Sequence, residues 1–172
     1  MVDEPGDLAT LKAILANIPN VAERLGLLFT VRLQPPGYDA TPRNCLTFAG
    51  TGGDGVHFGY LRMDGTPLDS SPIVMTVPSA RHPNRVVGRT LRHFLSFGRY
   101  SGFFTLEQLQ YDYARTVAAL DARRLSPLEP DEARAMAAIA IALPGDEWRN
   151  HGATLAALEA EFAAILDVPP ER

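Results

Sequence analysis

Residues Asn44–Met63 read NCLTFAGTGGDGVHFGYLRM: two apolar runs around a knot of glycines, Gly50, Gly52, Gly53, Gly55 and Gly59, with Asp54 among them. Cys45–Ala49 and Val56–Arg62 have the length and composition of short strands. The Asp54-Gly55 pair between them suits a type I′ turn, whose two central residues both need positive φ. The stretch therefore reads as a tight β-hairpin. A second pair, Asp64-Gly65, ends the second strand in the same way.

Further strands flank this hairpin. Leu27–Leu33 (LLFTVRL) precedes it, before Pro35, Pro36 and Gly37 open a loop. Ile73–Val77 (IVMTV) follows, fenced by Pro72 and Pro78, and Arg85–Val87 adds a short last strand before Gly88. Strands joined by such short turns pair most economically as an antiparallel meander.

Helices lie on both sides. Leu8, Leu11, Leu15 and Ile18 repeat at helical spacing and predict a helix over Asp7–Ile18. Asn20 is placed to cap a short helix over Val21–Leu25, closed by Gly26. Thr90–Phe97 carries Leu91, Phe94 and Leu95 on one face. Thr105-Leu106-Glu107-Gln108 has the form of a capping box, ahead of a stripe of Leu106, Leu109, Tyr113, Val117 and Leu120. Pro130 with Asp131 and Glu132 starts a helix burying Met136, Ile139, Ala140 and Leu143, and Leu155, Leu158, Phe162, Ile165 and Leu166 stripe a last one. The expected fold is α+β in a single domain over 1–172: an antiparallel sheet over about 27–88, packed against N-terminal helices and a helical C-terminal part over about 90–168.

Composition narrows function. A formal charge of −4 argues against a nucleic-acid partner, because phosphate contacts need a basic excess. The single cysteine, Cys45, permits neither an internal disulfide nor a thiolate metal cage, which fits a reducing, cytoplasmic setting. The acidic opening MVDEPGD is not the basic start of a secretory signal, and no apolar run approaches the ~20 residues that a membrane helix needs. No membrane association, cofactor or metal is expected. Between Ser70 and Leu106 there is no acid, yet Arg81, Arg85, Arg89, Arg92 and Arg99 all fall there. That segment is either a surface for an anionic ligand or partner, or a set of arginines paired with carboxylates from the acidic flanks.

Catalytic motifs are absent. The glycine knot lacks the Gly-Lys-Ser/Thr of a phosphate loop, and a strand follows it instead of a helix. Asp54 and His57 are imaginable as an acid–base pair, but Asp54 has a turn to serve. No His or Cys spacing suits zinc, and no serine sits in a nucleophile elbow. Trp148, Tyr100, Phe103 and Phe104 are candidates for an interface or for the core. The residues through which a partner or ligand would be contacted are Asp54, His57, Tyr60, Arg81, His82 and Arg85; none is assigned a catalytic role.

The order of features carries a resemblance. A Gly-Gly-Asp-Gly turn and strand lead to Pro72–Pro78 (PIVMTVP), to Val86-Val87-Gly88, and to a helix reading Leu91-Arg92-His93-Phe94-Leu95. Over roughly Arg43–Gly98 this resembles the SUKH superfamily, which includes fungal cell-wall glucan-synthesis regulators and bacterial toxin-immunity proteins. The helix has Leu91 where an aromatic is more usual, the family's N-terminal Trp is missing, and the helical tail is long. The resemblance implies a non-enzymatic α+β module of immunity or regulatory type that binds a protein, such as a toxin or effector. The acidic flanks would suit a basic nuclease. The other readings are a small enzyme handling an anionic substrate through Asp54, His57 and the arginine segment, or an oligomeric structural protein. The oligomeric state is left open.

Overall fold

The computed structural model describes residues 2–169. Five strands, β1 (Leu28–Gln34), β2 (Cys45–Gly50), β3 (His57–Leu61), β4 (Ile73–Thr76) and β5 (Asn84–Gly88), form one sheet in sequence order with every neighbour antiparallel. This is the expected meander. At the β2–β3 turn Gly53 O accepts from Val56 N at 3.0 Å, and Asp54 and Gly55 both have positive φ, 48° and 74°. A type I′ turn demands that backbone.

The second Asp-Gly behaves differently. Met63 O accepts from Thr66 N at 3.1 Å, but only Gly65 has positive φ, as in a type II turn. The chain then enters a 3₁₀ turn, Leu68–Ser70, before β4 begins. No strand stands directly across this turn, so the mirror-image geometry that a hairpin requires is not imposed.

The helices are α1 (Gly6–Ala16), α2 (Val21–Leu25), α3 (Leu91–Phe97), α4 (Tyr113–Asp121), α5 (Pro130–Ala142) and α6 (His151–Phe162). The N-terminus of α1 is capped from a distance: Asp69 accepts from Gly6 N at 3.2 Å and from Asp7 N at 3.3 Å. Asn20 precedes α2 in left-handed backbone (φ 59°) and makes no side-chain cap bond, contrary to expectation.

The capping box at Thr105 also does not form. Residues Phe104–Gln110 are 3₁₀ turns, and α4 starts only at Tyr113, where Asp112 accepts from Arg115 N. Thr105 lies inside these turns, which begin at Phe104, so it does not stand at an N-cap, and among the described residues its buried hydroxyl has no hydrogen-bond partner. The stripe is thereby split between Leu106 and Leu109 in these turns and Leu120 in α4.

The core lies between the helices and one face of the sheet. Phe58 meets Phe94 of α3 at 4.9 Å between ring centroids, Phe94 meets Phe103 at 4.6 Å, and Phe48 meets Tyr60 at 5.1 Å. Every residue of β3 and β4 is buried, so the opposite face is covered too. The loop Pro35–Asn44 and the tail after α6 supply that cover. Arg43 N donates to Asp167 O at 2.8 Å, and Asn44 bonds Ile165 O and Asp167 N.

Glycines mark the tightest contacts. A Cβ on Gly88 would lie 2.8 Å from Phe94 N, and one on Gly26 would lie 2.6 Å from Phe104 N in backbone already at φ 81°. Gly53 has nothing within 4 Å. In urea unfolding, Gly26→Ala and Gly88→Ala should each cost about 2 kcal/mol or more, while Gly53→Ala stays within about 0.5 kcal/mol.

Candidate functional site

In a strand, alternate side chains face opposite sides. His57 therefore faces away from the helices that Phe58 packs against. Across the ladder it stands opposite Thr76, which stands opposite Asn84, so three polar side chains form a row over β3, β4 and β5. Each is satisfied. Thr76 donates to Asn84 Oδ1 at 2.8 Å, and Asn84 Nδ2 donates to Ala40 O at 2.8 Å. His57 Nδ1 donates to Gly55 O at 2.7 Å, which leaves Nε2 of the neutral ring to accept from the Thr41 hydroxyl at 3.0 Å. Tyr38 stacks on His57 with centroids 5.5 Å apart and planes 19° from parallel. The row holds the Pro35–Asn44 loop down.

Two cavities adjoin this loop and share Gly37 and Tyr38 as a common wall. One, of about 380 Å³, is lined by the hairpin glycines Gly50, Gly52, Gly53 and Gly55 together with Gln34 and His57. The other, of about 670 Å³, is lined by Asp39, Arg43, Arg81, Pro83 and Val168. Both lie in the size range of small-molecule sites. Tyr38 is 51% exposed between them.

The sequence-selected residues divide sharply over this geometry. His57 lines the smaller cavity and Arg81 the larger. Asp54 is exposed at the hairpin tip. His82 is exposed beside Arg81, and its carbonyl accepts from Gln110. Arg85 points elsewhere: it donates to Gln110, covers the Tyr113 ring at 4.6 Å and lies 3.9 Å from Glu159. Tyr60 is fully buried, and among the described residues its hydroxyl has no hydrogen-bond partner. Asp54, His57 and Arg85 are thus not brought into one pocket.

Three of the five arginines in the acid-free segment pair with flanking acids: Arg85 with Glu159, Arg89 with Glu161 at 2.6 Å, and Arg92 with Asp7 at 2.7 Å. Cys45 is buried, which pushes its thiol up to about 12 and keeps it from acting as a nucleophile near neutral pH. Trp148 is buried, stacks on Phe97 at 4.0 Å and donates Nε1–H to His93 O; Phe103 is core, while Tyr100 and Phe104 are about half exposed. Among the described residues, no group of three or more His, Cys, Asp or Glu is placed to hold a metal ion.

Sequence reasoning missed Tyr38, Thr41, Arg43 and Asn84. The one local signal was an aromatic set in Pro-Pro-Gly-Tyr-Asp, a loop rigid enough to present it. It also missed the pair at the start of α6, where Asp121 accepts from both the backbone N–H of His151 (2.8 Å) and its Nδ1 (2.7 Å).

Comparison of the chain with protein-family models, with curated proteins and with solved structures finds no match. The described residues contain no helix long and apolar enough to cross a membrane.

Burial lowers the pKa of His57, and that of His93, whose Nδ1 accepts from Arg89 N at 3.0 Å. The unfolded chain binds protons first, so both imidazoles contribute stability that is complete above the ordinary histidine value of about 6.5 and is lost as pH falls below it. Thermal unfolding from pH 8 to pH 5 should show this loss. His57→Gln should lower stability at pH 8 by about 1–2 kcal/mol through its lost hydrogen bonds, and should flatten the pH dependence.

Proposed function

We propose that the chain is a protein-binding module of immunity or regulatory type, whose partner is a bacterial toxin or effector and whose setting is the cytoplasm. The SUKH resemblance over Arg43–Gly98 supports the class. One observation carries the reading: an exposed surface of tyrosine and arginine built around the β4–β5 connection. Ser79 Oγ and Tyr111 Oη are 2.6 Å apart. Tyr111 is 52% exposed, Tyr113 stands beside it under Arg85, and Arg81 and His82 are exposed on the same connection. Tyrosine and arginine are the residues on which binding energy concentrates in protein interfaces.

The groups that would otherwise serve chemistry have structural duties. Both ring nitrogens of His57 are used, Cys45 is buried, and Tyr60 is enclosed in the core. The acids of the C-terminal third are also largely taken up. Glu159 and Glu161 face Arg85 and Arg89, Asp131 and Glu132 face Arg24, and Glu147 faces Arg123 and Arg149. An interface resting on free acidic flanks is therefore less favoured than one centred on Arg81 and Tyr111.

The test is affinity capture from native lysate with the wild-type chain and an Arg81→Glu/Tyr111→Ala double variant. The expected outcome is one stoichiometric protein that survives a high-salt wash on the wild type and falls by about tenfold or more on the variant. Equal recovery on both would move the interface elsewhere. No stoichiometric protein, in lysate where candidate effectors are expressed, would count against the reading.

A further inference from the structure

We propose that the cleft astride Tyr38 binds a small anion carrying a flat uncharged ring, the chemistry of a nucleoside monophosphate. The two cavities differ in kind. Among the described residues, no Asp, Glu, Lys or Arg lines the smaller one; its walls combine the hairpin glycines with Leu28, Val56, Gln34, Tyr38 and His57. His57 gives its Nδ1 proton to Gly55 and its Nε2 lone pair to Thr41, which suits the neutral ring and keeps that cavity uncharged. The larger one holds Arg43 and Arg81. Tyr38 lines both, so a ligand laid over it would extend from one cavity toward the other.

Each end fits one part of such a molecule. Tyr38 rests one ring face on His57 and is half exposed, a stacking platform already held in place. The Gln34 side chain offers donors and an acceptor in one plane, matched to the edge of a base. At the other end Arg81 forms no ion pair among the described residues, in contrast to Arg85, Arg89 and Arg92. A guanidinium so placed is a fork for phosphate or carboxylate oxygens. Arg43 lies 3.6 Å from Asp167, with both side chains more than half exposed. Asp39 is on the same wall. The net charge of −4 opposes a polyanion.

The site shares Arg81 with the proposed protein interface but needs no protein partner, so free ligand tests it on the full chain alone. Thermal unfolding and titration calorimetry would be run with the four nucleoside monophosphates, the four matching nucleosides and inorganic phosphate. At least one monophosphate is expected to raise the unfolding temperature in a concentration-dependent way. Arg81→Ala should weaken that monophosphate about tenfold while leaving its nucleoside unchanged. Tyr38→Ala should weaken both about tenfold or more, and Tyr38→Phe should restore them. Circular dichroism of each variant separates loss of binding from loss of fold. The proposal is overturned if no monophosphate binds, if phosphate alone gives the whole shift, or if folded Arg81→Ala and Tyr38→Ala bind as the wild type does.

Discussion

β3 and β4 are buried on both faces, and a strand enclosed in this way has no wet side on which to place polar groups. Yet the row across one end of these strands and β5 reads His57, Thr76, Asn84. Burying these side chains without partners would cost more than the sheet gains. The Pro35–Asn44 loop answers that demand with the Thr41 hydroxyl and the Ala40 carbonyl, and the segment after α6 is pinned over it through Arg43 and Asn44. The cleft at Tyr38 is what remains where a loop, instead of a helix, covers a sheet. Its walls are irregular because turns and tails do not pack as flush layers.

Charge sorts the helices onto this frame. The segment without acids contains the whole of β5 and α3, and the acids that meet it come from opposite ends of the chain. Asp7 of α1 makes two bonds to Arg92, at 2.7 and 2.8 Å, and Glu159 and Glu161 of α6 meet Arg85 and Arg89 beside β5. Partly exposed pairs of this kind add little stability individually. Their effect is on choice: a helix set against the wrong strand would place arginine against arginine.

The hairpin, the meander and the helical segments were legible because their signals are local: an Asp-Gly pair, a proline fence, an apolar period. Whatever depended on contacts between distant residues was not. Asp69 caps a helix more than sixty residues upstream, and the capping box at Thr105 gives way to 3₁₀ turns that begin at Phe104. The alternation of strand faces set His57 apart from Phe58, but nothing in the sequence names Thr41 as its partner. Tyr38 stayed invisible for the opposite reason. An exposed aromatic in a loop carries no periodicity, and its worth lies in the two cavities on either side of it.

Lys12 is the chain's only lysine, and it is not spent on solubility. Its ammonium donates to the Thr30 carbonyl of the edge strand at 3.2 Å, pairs with Glu4 at 3.0 Å and lies over the Phe29 ring. The same strand has a register shift against β2 after Phe29 and is followed by Pro35-Pro36, two further features that discourage a second chain from adding to the sheet. Guarding an open edge and presenting a side-chain amine are thus the work of one residue. Acylation at that nitrogen would discharge the guard and leave Glu4 without its cation.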